Sequence, residues 1–92
     1  MARRFIPGTH YNASYAAVGI RHGSQAARAI ARAIRELTDS DQVPTGDVHG
    51  VSPVVDELGV GMWADAWWIR EAGVWLWFRA DEYAVTLIAL SR

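Results

Sequence analysis

The last third of the chain consists of apolar runs broken by very short joints, and that spacing predicts strands. Met62 to Arg70 (MWADAWWIR), Val74 to Arg79 (VWLWFR) and Ala84 to Leu90 (AVTLIAL) are separated only by Glu71-Ala72-Gly73 and by Ala80-Asp81-Glu82-Tyr83. Joints of this length connect antiparallel neighbours, so the three runs form a meander. A strand turns successive side chains to opposite faces. A turn that sets Arg70 opposite Trp75 also sets Trp68 opposite Trp77 and Ala66 opposite Arg79. Ile69, Trp67, Leu76 and Phe78 then share an uncharged core face, while Trp68, Arg70, Trp75, Trp77 and Arg79 share the other. A three-residue loop would instead oppose Trp67 with Trp77 and Arg79 with Asp65. The first register is preferred because it keeps charge out of the core.

Upstream, the period lengthens. Arg3 to Pro7 reads as a short strand stopped by Pro7-Gly8. Tyr11, Tyr15 and Val18 recur at helical spacing, which predicts a helix from Asn12 or Ala13 to His22, ended by Gly23. Ser24 is a suitable N-cap for a second helix from Gln25 to about Leu37. On it Ile30, Ile34 and Leu37 form an apolar stripe, and Arg28, Arg32 and Arg35 align on the opposite side. Thr38 to Gly61 is rich in Asp, Pro, Gly and Ser and reads as a long loop, with room for one helical turn at Pro53 to Leu58. The expected fold is α+β: a short N-terminal strand, a helical hairpin, then a three-stranded antiparallel meander covered on one face.

Composition narrows the chemistry more than it identifies it. The 92 residues suit one small domain spanning 1–92. With no cysteine, disulfides and thiolate metal ligands are excluded, which fits a cytoplasmic protein. No apolar run approaches the ~20 residues of a membrane span, and Met-Ala-Arg-Arg-Phe lacks a signal-peptide pattern. His10, His22 and His49 have no metal-ligand spacing, and there is no phosphate-binding glycine loop or Ser-His-Asp set, so no cofactor is expected. Asp47-Val48-His49 places an acid near a base, within the expected loop. The net charge of −1 conceals a polarity. Arg3, Arg4, Arg21, Arg28, Arg32 and Arg35 face only Glu36 in the first 36 residues, and the remaining acids gather downstream. A basic half suits an acidic partner or a phosphate backbone.

The stretch Ile69-Arg70-Glu71-Ala72-Gly73-Val74-Trp75-Leu76-Trp77-Phe78 resembles the hairpin of the RelE/ParE superfamily of bacterial type II toxins. Ala84 to Arg92 (AVTLIALSR) is similar to that family's last strand, which ends in a basic residue. The resemblance implies a toxin neutralised by a cognate antitoxin. Its RelE branch cleaves messenger RNA, usually on the ribosome, and its ParE branch acts on DNA gyrase. Arg70 matches the family's arginine before the turn, and Arg92 the basic residue that ends the last strand. Trp75 stands where RNA-cleaving members often carry a catalytic arginine, and Ala66 and Trp68 replace common lysines.

The resemblance therefore favours a toxin acting on gyrase or the translation machinery, with an mRNA endoribonuclease as one alternative. A non-catalytic interaction module, including a homodimer or hetero-oligomer, is the other. For cleavage the candidate phosphate ligands are Arg70, Arg79 and Arg92, whose guanidinium groups would stabilise a charged transition state. For partner binding they are Trp68, Trp75, Trp77, Arg28, Arg32 and Arg35.

Overall fold

The computed structural model describes residues 2–55 and 61–92. Its elements are β1 (Arg4–Pro7), α1 (Tyr11–Ala17), α2 (Gln25–Asp39), β2 (Val48–Val55), β3 (Gly61–Ile69), β4 (Val74–Ala80) and β5 (Ala84–Ser91). The five strands form one mixed sheet in the order β1-β5-β4-β3-β2. β1 runs parallel to β5, and the other neighbours are antiparallel. The architecture is α+β, with the two helices on one face.

The meander thus has four strands rather than three, because Val48–Val55, expected to be loop, forms β2. Gly50 and Pro53 read as breakers, but β2 lies at the sheet edge, where missing donors are tolerated. Pro53 also falls where the register slips, between Val51↔Trp63 and Val55↔Gly61. The helical turn considered at Pro53 to Leu58 is therefore replaced by strand over Pro53–Val55, and residues 56–58 lie outside the described residues.

α2 follows its pattern closely. The Ser24 side chain caps it by accepting from the Ala27 amide at 3.1 Å. Ile30 and Leu37 are buried as expected, and Ala29 and Ala33 join them, which lets the helix approach the sheet closely. α1 is shorter than expected: it ends at Ala17 instead of His22, because Gly19 adopts φ 75° and turns the chain away.

The β3–β4 register also differs from expectation. Trp68 pairs with Trp75, Trp67 with Leu76 and Ala66 with Trp77. Arg70 is not in the ladder, because Arg70–Gly73 form a four-residue turn in which Gly73, at φ 64°, donates to the Ile69 carbonyl at 2.8 Å. The slip from the expected register is two residues, and an even slip leaves every side chain on its original face. Trp67, Ile69, Val74, Leu76 and Phe78 do face the helices, the last three with no exposed surface.

β5 contributes to both faces. Trp77 pairs with Ala89 while Phe78 pairs with Leu87, so Ile88 is an extra, bulged residue. The bulge reverses the alternation. Val85, Leu87 and Leu90 pack under the helices, whereas Ile88 and Ala89 join Ala64 on the reverse face, against Val54, Met62 and Trp77. That is why Leu87–Leu90 is buried without interruption.

Two polar side chains tie the layers together. Buried Arg3 donates from Nε to the Asp81 carbonyl at 2.7 Å and from Nη1 to the Ser40 carbonyl at 2.5 Å, joining the end of α2 to the β4–β5 turn. Within that turn, amides of Tyr83 and Ala84 donate to the Asp81 carboxylate and hold it below its usual range, with Arg3 adding to the effect. Ser14 Oγ accepts from the Leu90 amide at 2.9 Å and donates to the Tyr11 carbonyl, fastening α1 to β5. Among the described residues, no helix is long and apolar enough to cross a membrane.

Candidate functional sites

Alternation along β3 and β4 puts Trp68 and Trp75 together on the face away from the helices. Their rings lie 5.2 Å apart at 56°, and Trp68 keeps 42% of its surface exposed. Trp75 is half-buried, so the open indole surface of the pair is mainly that of Trp68, an unusual exposure for so large an apolar side chain. Trp77, on the same face, is more committed: its Nε1 donates to Ser91 Oγ at 2.9 Å and its ring packs beside Ile88 and Ala89. The sheet edge of the pair meets α2 in a groove of about 280 Å³, which Arg32, Glu36, Trp67, Trp68 and Glu71 border. One arginine of the α2 stripe therefore shares a surface with one of the exposed tryptophans. Arg28, bonded to the Gly23 carbonyl at 3.1 Å, and Arg35 are exposed and do not line that groove.

The three candidate phosphate ligands are not brought together. Arg70 is exposed in the β3–β4 turn, and Arg79 is exposed at the opposite end of β4. Arg79 lies just past the Phe78–Asp65 pair, so about 20 Å of strand separates it from Arg70. Arg92 lies at the Arg70 end of the sheet, but its Nη2 donates to the Val18 carbonyl and caps the end of α1. A single phosphate cannot be gripped by all three.

A different constellation is assembled between β2 and β3. His49 pairs with Asp65 across the strands, Nδ1 to Oδ1 at 2.7 Å. The imidazole stacks on Trp63, with centroids 5.5 Å apart and planes 28° apart, and Trp63 is 59% exposed. With Nδ1–H donating to the carboxylate, Nε2 is left as a proton acceptor toward solvent. The β3–β4 pairing ends at Asp65↔Phe78 although both strands continue, and a cleft of about 270 Å³ opens there. His49, Trp63, Asp65, Phe78 and Arg79 are among the residues that line it.

Sequence pattern alone does not reveal this pair, because nothing in it marks β2 as a strand. Once Val48–Val55 is placed beside β3, pairing brings His49 to Asp65 with no further assumption. Asp47, the acid adjacent in sequence, is engaged elsewhere, and its Oδ2 accepts from the Trp68 amide at 2.9 Å. Among the described residues, no group of three His, Cys, Asp or Glu side chains is placed to hold a metal ion.

Compared with known protein families, with curated proteins and with solved structures, the chain shows no match in any of the three.

Proposed function

We propose that this chain is the toxin of a type II toxin–antitoxin system of RelE/ParE character, acting on gyrase or the translation machinery and silenced by a cognate antitoxin. The observation that carries this reading is the exposed Trp68, backed by Trp75 and bordering the Arg32 groove. Tryptophan and arginine dominate the energetics of protein interfaces, where a desolvated indole anchors the contact and a guanidinium selects an acidic neighbour. The order strand, helix, helix, antiparallel strands also agrees with the hairpin resemblance, with one strand more.

Expression without a cognate antitoxin is expected to arrest bacterial growth, and co-expression with it to relieve the arrest. Trp68→Ala should weaken binding of the purified antitoxin about 30-fold, the equivalent of ~2 kcal/mol. Harmless expression of the folded protein would overturn the toxin reading and leave a non-catalytic interaction module.

The His49–Asp65 pair favours a second reading, an endoribonuclease. In it His49 Nε2 accepts the 2′-hydroxyl proton as that oxygen bonds to the adjacent phosphorus. The P–O5′ bond breaks and the 5′-oxygen leaves with a proton from His49 or water, while Arg79, bordering the same cleft, offers charge to the phosphate. On this reading His49→Ala lowers the rate of RNA cleavage by about 10²–10⁴, while Arg92→Ala acts only through stability. Cleavage at an undiminished rate in His49→Ala would remove it.

A further inference from the structure

Beyond α1 the chain folds back on itself. Gly19 and Gly23 both take left-handed backbone angles, φ 75° and 76°, and the turn between them returns His22 over the helix. The His22 imidazole stacks on Tyr15, with centroids 5.8 Å apart and planes 16° apart. Tyr15 in turn meets Tyr11 edge-on at 6.1 Å. The walls are fixed from below: Ser14 bonds to β5, and Arg92 holds the Val18 carbonyl where the turn begins.

What results is an open groove of about 670 Å³ lined by Tyr11, Asn12, Tyr15, Ala16, Ile20 and His22. That volume falls within the ~300–1,000 Å³ of small-molecule sites. Among the described residues no acidic side chain, arginine or lysine lines it, so the group seated inside the groove is an uncharged one, and any phosphate attached to it stays outside. The Tyr11 phenol, which lines the groove, is a hydrogen-bond donor at neutral pH like any tyrosine, and burial, with Tyr15 adding, pushes its pKa up to about 12. Asn12 carries a donor and an acceptor side by side on one amide. A flat, uncharged ring whose edge alternates donors and acceptors matches both the stacked rings and that amide.

We propose that the groove between α1 and the Val18–Gly23 turn binds a nucleobase, stacked against the Tyr15–His22 rings and held at its edge by Asn12. The site lies apart from the tryptophan face and from the His49 cleft, so it stands independently of the function proposed above. The base has two sources with the same chemistry, a free nucleoside or an unpaired base of single-stranded RNA. Stacking contributes about 1–3 kcal/mol per base in either case.

The test follows the ring resonances of Tyr15 and His22 by NMR while adenosine, uridine and then a short single-stranded RNA are added. Saturable shifts are expected, weakened about tenfold or more by Asn12→Ala, an exposed position whose change leaves the core intact, and unaffected by Trp68→Ala. Shifts with nucleosides identify the free base as sufficient, and shifts with RNA alone identify the strand as the source. Silence with every probe, or binding of wild-type strength in both Asn12→Ala and His22→Ala, overturns the proposal.

Discussion

Phe78→Ala brings the domain to the edge of unfolding. Phe78 has no exposed surface and lies mid-sheet, paired with Leu87 on one side and Asp65 on the other. Truncating a buried phenylalanine costs about 3–5 kcal/mol, the transfer of the ring plus the cavity left behind. Against a total of roughly 5–15 kcal/mol, and nearer the lower end for a chain this small, that is most of the stability. Urea unfolding should show a large fall in midpoint with little change in slope. Tyr83→Ala, at a position 74% exposed, should move the midpoint by no more than ~0.5 kcal/mol equivalent. Equal effects at the two positions would mean that the helices do not seal the sheet over β4. Because Phe78 also floors the His49 cleft, the same variant is expected to disturb that site even where it remains folded.

Gly46→Ala acts through the backbone instead. A Cβ at Gly46 would stand 2.5 Å from the Ala66 carbonyl oxygen and 2.6 Å from its nitrogen, and neither can rotate away as a side chain would. Relief requires the chain before β2 to lift from β3, at a cost of about 1–3 kcal/mol. The next residue is Asp47, whose carboxylate accepts from the Trp68 amide, so the lift also loosens the exposed tryptophan. Gly50→Ala is the matched control, since nothing lies within 4 Å of a Cβ there. The expected result is a lowered melting temperature and altered Trp fluorescence for Gly46→Ala, with neither for Gly50→Ala. Identical behaviour would show that this approach to β3 is not maintained in solution.

Where local pattern and tertiary packing agree, the sequence is legible. The Ser24 cap, the Ile30–Leu37 stripe and the exposed arginines of α2 are all fixed by helical period, and each is found in place. The face assignment of Trp67, Ile69, Leu76 and Phe78 also holds, because parity depends on alternation and not on the turn. The pairing itself is not legible. It depends on how many residues Gly73 allows the turn to hold, and several loop lengths satisfy the same hydrophobic pattern.

β2 is hidden for a different reason. An edge strand has only one ladder to satisfy, so it can contain the Gly50 and Pro53 that mark a loop elsewhere. With β2 hidden, the His49–Asp65 pair is hidden too, since it exists only through cross-strand register. Arg92 shows the converse. The hairpin resemblance implies phosphate binding for it, but a helix end that lacks hydrogen-bond donors is an equally good destination for a guanidinium.

The parallel β1 bears on how the molecule avoids its own copies. Ala84 to Leu90 contains neither charge nor proline, the composition of a segment that templates intermolecular strand pairing. One edge of this strand belongs to β4. The other is closed by β1, by the Gly8 amide on the Leu87 carbonyl and by Ser14 on the Leu90 amide. A stretch from Arg4 to Ser14 thus seals this uncharged edge of β5, and within β1 the seal is only four residues long. Whatever loosens that stretch exposes β5 to a neighbouring molecule, so colloidal stability depends on the docking of this short segment as well as on the core.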